Sequence, residues 1–159
     1  MAGYYRFWAR AFTTQATRVQ VYEATPSGGH VTAYLAGPSG PVDGSVSTAV
    51  STAFESNAKR PLCVTLHISP AVNHTVTLTG TVTVEAARLA SAQAALTSAL
   101  TAYTASLDLG STVILSKLVQ LIMEVQGVLD VSLATPAANV VLGTGEMATF
   151  VNSLSWVTA

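Results

Sequence analysis

The chain has 159 residues, enough for one domain or two small ones with a real core. Half are hydrophobic and only 9% are charged, against roughly 25% in ordinary soluble domains, and the net charge is −1. Seven Lys and Arg spread along the chain make no basic patch, so a nucleic-acid partner is not expected; the most apolar stretch, Val113 to Leu129, is broken by Ser116, Lys117, Gln120, Glu124 and Gln126, so no membrane span is expected either.

Serine and threonine take the place of the missing charge, which leaves a neutral surface that is easily desolvated. Cys63 is the only cysteine, so no internal disulfide can form. Its place on a predicted strand makes it a small buried hydrophobe rather than a reactive thiol. Arg6, Arg10 and Arg18 precede the first acid, Glu23, yet no signal-peptide apolar core accompanies them, and no targeting segment is expected.

Tyr4, Tyr5, Trp8, Ala11 and Phe12 recur at helical spacing and predict a short aromatic helix within residues 1–17. Such a stripe either caps the core or packs on something outside this chain. Arg18 to Ala24 is expected as a strand with Val19 and Val21 inward. Thr25 to Gly29 is expected as a turn, since Gly28 and Gly29 supply positive φ, and His30 to Ala36 returns as the second strand of a hairpin. Gly37 to Pro41 is a loop. Val46, Val50, Ala53 and Phe54 mark an amphipathic helix from about Gly44 to Ala58, capped by Asp43 or Ser45. Glu55 and Lys59 are spaced for an ion pair, and Pro61 is the expected stop.

Arg60 to Glu85 reads as two consecutive strands joined across Ser69 to Asn73. Leu62, Val64, Leu66 and Ile68 face one way, with Cys63, Thr65, His67 and Ser69 opposite. Val76, Leu78, Val82 and Val84 then alternate with Thr75, Thr77, Thr79, Thr81 and Thr83. Ala86 to Leu107 follows as an alanine-rich helix with a stripe of Leu89, Gln93, Leu96, Leu100, Tyr103 and Leu107. Beyond Gly110 come a short extended piece (Ser111 to Ile114) and a helix on Leu115, Leu118, Val119 and Ile122, ending near Gly127. A strand from Val128 to Ala134 is closed by Pro136, and Asn139 to Leu142 is again extended. A turn at Gly143 to Gly145 leads into a last strand, Glu146 to Thr158. The expected fold is α+β: a ββαβ module over residues 18–70 and a βααββ module over residues 74–159, each a mostly antiparallel sheet with helices packed on one face.

No catalytic constellation emerges. His30, His67 and His74 lie in or beside strands, and none has a second ligand at i+2 or i+4. Asp43, Asp108 and Asp130 could be grouped with a histidine and a serine, but no G-x-S-x-G elbow exists; Asp43 serves better as a helix cap and Asp108 as the polar end of a helix. Gly28-Gly29 and Gly143-x-Gly145 sit where hairpins turn, not where a phosphate cradle opens a helix. Asn73-His74-Thr75 is a glycosylation sequon by pattern only. Glu85 with Arg88, and Lys59 with Arg60, read as solvated helix ends. No catalytic, cofactor or metal residue is assigned, and an enzyme is not expected.

Seven landmarks stand in order: Tyr5-x-x-Trp8-Ala9; Val19-x-Val21; Gly29-x-Val31-x-Ala33-Tyr34; Arg60-Pro61-Leu62 leading from a helix to a strand; Leu107-x-x-Gly110-x-x-Val113-x-x-Ser116-x-Leu118; Gly127-Val128; and Leu133-x-x-Pro136. Together this set resembles the C-terminal half of the baseplate J-like proteins of contractile-tailed phages and related injection systems. Two departures are visible. Ala16-Thr17 stands where the family has Gly-Val, and the further N-terminal portion of full-length members does not precede Trp8, as expected of a trimmed form, a split gene or a degenerate copy. The resemblance implies a structural wedge component of the virion tail baseplate, made in the bacterial cytoplasm. It implies action through contacts with other wedge and hub proteins, with possible self-association and with no cofactor, nucleic acid or membrane. Tyr4, Tyr5, Trp8 and Phe12 are the expected contacts, with Thr77, Thr79 and Thr81 second. An alternative, a small-molecule or carbohydrate-binding module at a tail tip, would draw on Tyr103 or Trp156. A hydrolase would depend on His67 or His74.

Overall fold

In a computed structural model, which describes residues 2–23, 29–60 and 63–159, apolar spacing has become the elements it predicts. In order they are α1 (Ala2–Phe12), β1 (Arg18–Glu23), β2 (His30–Ala36), α2 (Gly44–Ser56), β3 (Thr65–Pro70) and β4 (Val72–Val84). After them come α3 (Leu89–Ser106, entered through a 3-10 turn at Ala86–Arg88), β5 (Thr112–Val113), α4 (Leu115–Met123), β6 (Val128–Thr135), β7 (Val140–Val141) and β8 (Glu146–Thr158). The fold is α+β with small mixed sheets. Two compact units divide the chain: unit 1 holds Met1–Asn73, Asp108–Gly110 and Gly143–Met147, and unit 2 holds the remainder.

Unit 1 is a three-stranded sheet in the order β1-β2-β3. The β1–β2 hairpin is antiparallel, from Arg18 opposite Ala36 to Glu23 opposite Val31; Thr25 to Gly28 of its expected turn lie outside the described residues. The second pair differs from the antiparallel rule. β2 and β3 run parallel, from His30 beside Thr65 to Leu35 beside Pro70. Helix α2 lies between them in the chain and returns it to the start of the sheet, as a parallel pair requires. The core joins Val19, Val31, Ala33 and Leu35 of the sheet to Val50 and Phe54 of α2 and Tyr5 and Ala9 of α1.

Both ends of α2 follow from single residues. Asp43 Oδ1 accepts from Ser45 N at 2.8 Å, and that hydrogen bonding to Ser45 holds the carboxyl below its ordinary pKa. The helix ends at Ser56, well before Pro61, which lies outside the described residues together with Leu62. Ala58 turns left-handed at φ 51°, Ala58 N donates to Glu55 O at 3.1 Å, and Lys59 N donates to Phe54 O at 3.0 Å. This double closure satisfies carbonyls of the last turn, a place usually taken by glycine. The early stop also undoes the expected Glu55–Lys59 pair, because Lys59 no longer lies on the helix. Glu55 pairs instead with Arg60 at 3.4 Å, and Lys59 Nζ sits 4.4 Å from the centre of the Trp8 ring. Ala58→Gly is expected to stabilise unit 1 by about 0.5–1 kcal/mol, the left-handed penalty of an L-residue less glycine's extra freedom when unfolded. A rise in the urea midpoint at constant slope would show it; a fall would count against this account of the helix end.

Cys63 is the clearest correction. It is exposed, in a turn ahead of β3, with φ 63°. A left-handed residue breaks strand alternation, so β3 starts only at Thr65, whose N–H donates to Gly29 O. Val64, Leu66 and Ile68 do pack toward the core, as their spacing requires. The expected five-residue joint between the central strands shrinks to one buried residue. Ala71 N donates to Leu35 O at 2.8 Å, Val72 N donates to Gly145 O at 2.9 Å, and between them the chain leaves one sheet for another.

Unit 2 is a sheet in the order β6-β4-β8, with a short antiparallel β5–β7 pair. Val76, Leu78, Val82 and Val84 of β4 share one core with Leu96 and Leu100 of α3 and Leu118 and Ile122 of α4. The helices thus cover the valine face of β4 and leave its threonines on the other. Gln93, assigned above to the α3 stripe, is exposed, and Ala92 takes its place in the core, so the stripe runs Leu89, Ala92, Leu96, Leu100, Tyr103 and Leu107, with Thr104 buried beside it. β4 pairs antiparallel with β6, and the register slips between Thr79 and Gly80.

Candidate interaction surface

Helix α1 presents two unlike faces. On the inner one, Tyr5 and Ala9 are fully buried and Trp8 and Phe12 are half-buried. Phe12 meets Phe54 edge-on at 5.2 Å between ring centres, Tyr5 lies 6.1 Å from Phe54, and Trp8 stacks on Phe12 at 5.6 Å. Of the two roles open to the aromatic stripe, capping the core accounts for this face. Tyr5 therefore supports the helix from beneath. Its hydroxyl has no hydrogen-bond partner among the described residues, and burial raises its pKa.

The outer face carries Gly3, Arg6, Phe7, Arg10 and Ala11, all exposed, with Phe7 at 64%. Tyr4 lies at the border, 42% exposed, its hydroxyl donating to Lys59 O at 2.8 Å. Phe7, whose aromatic character beside Tyr4, Tyr5 and Trp8 reads as that of a packing residue, is instead exposed, because it lies off the Tyr5–Trp8–Phe12 stripe. The signal was its spacing, four residues from Gly3 and from Ala11. Beside this face a polar cavity of about 460 Å³ is lined by Arg6, Arg10, Val19, Gln20, Asp108 and Leu109.

Next to that cavity's Val19 is a residue whose sequence context gave no warning. Arg18 is only 6% exposed, and its guanidinium donates through Nε to Gly37 O at 3.2 Å and through Nη2 to Gly37 O and Pro38 O. Burial lowers its pKa, and the charge of Asp108 opposes that shift. Asp108, expected as a polar helix end, thus acts electrostatically on β1. Gln20, two residues on, accepts from Gly145 N at 2.6 Å, while Gly110 N donates to Glu146 O at 2.8 Å. Arg18 and Gln20 together explain why residues 108–110 and 143–147 belong to unit 1.

The other expected residues fall apart in space. Thr77 and Thr81 are exposed on β4, but Thr79 is engaged, its hydroxyl 2.6 Å from that of Thr135, which also donates to Thr77 O at 3.1 Å. His30 and His67 are exposed on neighbouring strands, and His74 is on β4. Among the described residues no three His, Cys, Asp or Glu side chains are grouped to hold a metal ion. In unit 2 a mostly apolar groove of about 510 Å³ runs between α3 and α4, with Ala95, Ala99, Ala102, Tyr103, Leu121 and Glu124 among its walls. Tyr103, in the groove wall, is stacked on Phe150 at 5.7 Å, and Trp156 is half-buried on the core. No helix of the described residues is long and apolar enough to cross a membrane.

The family description "Baseplate J-like protein C-terminal domain" matches residues 76–157, more than half of the chain. This bears out the resemblance drawn from the landmarks in that half. No curated protein matches the chain.

Proposed function

The chain belongs to the baseplate J-like protein family, whose role is structural and whose place is the phage tail baseplate, and from that premise we propose that it is a non-enzymatic wedge component working through protein contacts at the outer face of α1. One observation carries the reading: a 64%-exposed Phe7 between two arginines, on a helix whose other face is anchored in a core. An exposed aromatic on a fixed helix gains most by being covered, and aromatic and Arg side chains are enriched where protein surfaces meet. Tyr4 and the half-buried edges of Trp8 and Phe12 extend the patch, while Tyr5 sets its position from within. Thr77 and Thr81 offer a second, polar contact on β4. Its mechanism would be mechanical, a rigid joint that holds its neighbours in register while the plate changes state.

Phe7→Asp tests this. The variant should fold, since Phe7 is 64% exposed and meets the core only through the edge of Trp8, and the chain should then be lost from purified tail particles in which the native chain is detected by mass spectrometry. Incorporation of the folded variant at the native level would overturn the reading.

A further inference from the structure

The outer face of α1 sets two cations beside an exposed aromatic ring, the groove between α3 and α4 sets one acid on an apolar wall, and we propose that α1 of one copy of this chain seats in the α3–α4 groove of a second copy. This names the partner for the α1 surface and rests on the reading above.

Gly3, Phe7 and Ala11 are spaced by four, so they form a ridge along α1 with one large knob between two small residues. The facing wall has the same construction in reverse, with Ala95 and Ala99 four apart, Ala102 beyond, and Leu121 and Val125 across the groove. Ridges at this spacing interlock, and small residues on both sides let two helices approach to about 8 Å. The groove is apolar and larger than one aromatic side chain, which suits Phe7.

Charge complements the apolar contact. Arg6 and Arg10 flank the ridge one turn apart, and neither makes a hydrogen bond or ion pair among the described residues. Glu124 is the only charged residue on the groove, and it is exposed, holding Gln120 Nε2 at 2.6 Å. In a chain with only 7 basic and 8 acidic residues, a pair of unengaged cations and a lone acid on an apolar groove are scarce features. Both halves of the contact lie on this one chain, which favours a second copy over an unrelated partner. Patch and groove are different surfaces, so each copy can supply both halves of the contact.

Sedimentation velocity of the full chain across a concentration series tests the contact. Association that weakens with salt is expected, and Phe7→Ala, Glu124→Arg and the double change Arg6→Glu with Arg10→Glu should each weaken it at least about tenfold without altering circular dichroism. Mixing the Glu124→Arg chain with the Arg6→Glu/Arg10→Glu chain should restore association that neither shows alone, since one keeps a native helix and the other a native groove. A native chain that stays monomeric throughout, or association that survives Glu124→Arg, overturns this proposal. A monomeric native chain combined with loss of Phe7→Asp from particles would sink the self-contact while leaving the baseplate reading standing.

Discussion

Gly80→Ala should destabilise unit 2 by about 4 kcal/mol, a fall of roughly 20–30 °C in its unfolding midpoint for a unit of this size. Gly80 lies in β4 at φ 145°, where the register against β6 slips. A β-carbon there would stand 2.1 Å from Ser132 O and 2.8 Å from Leu133 Cα, both backbone atoms of the neighbouring strand. No rotamer change can relieve that overlap. The strands must part, and the adjoining Thr79–Thr135 hydroxyl pair parts with them. The two tryptophans make a unit-specific reading practical, since Trp8 lies in unit 1 and Trp156 in unit 2. In a Trp8→Phe background, Trp156 fluorescence should report the early melting. Gly40→Ala is the control, because its added carbon meets nothing within 4 Å. Similar midpoints for the two variants would refute this account of the β4–β6 junction.

Arg18→Ala should cost unit 1 about 3 kcal/mol, most of it from groups left stranded rather than from attraction lost. The guanidinium is the donor to Gly37 O, in a buried residue, and to Pro38 O, in an exposed one, and the Gly37 carbonyl would keep its burial without it. The charge of Asp108 would also lose the cation it now favours. Arg18→Lys should recover only part of the loss, because one ammonium cannot fork toward two carbonyls as a planar guanidinium does. Trp8 fluorescence during urea unfolding, in a Trp156→Phe background, is the measurement. A midpoint within experimental error of the parent would mean that the buried cation is replaceable by water.

How far these residues could be foreseen depends on the range of the interaction behind them. The limits of β2 and β8, the cap at Asp43 and the valine face of β4 were legible, because each follows from neighbours within a few residues. Phe7 was visible as an aromatic, but its exposure was not, since that depends on which face of α1 the Phe54 ring captures. Cys63 misled because alternation says nothing of φ, and one left-handed residue ends a strand that hydrophobicity would extend. Arg18 stood among dispersed cations and gave no sign of being enclosed.

Local periodicity, turn residues and composition by themselves determined the α+β class, the order of the elements and the scarcity of charge, because these are properties of adjacent positions. Tertiary structure alone decided the parallel seating of β3 beside β2, the enclosure of Arg18, and the recruitment of residues 108–110 and 143–147 to unit 1. Each of those requires hydrogen bonds or buried charge shared by residues far apart in the chain, and no window of sequence contains both partners.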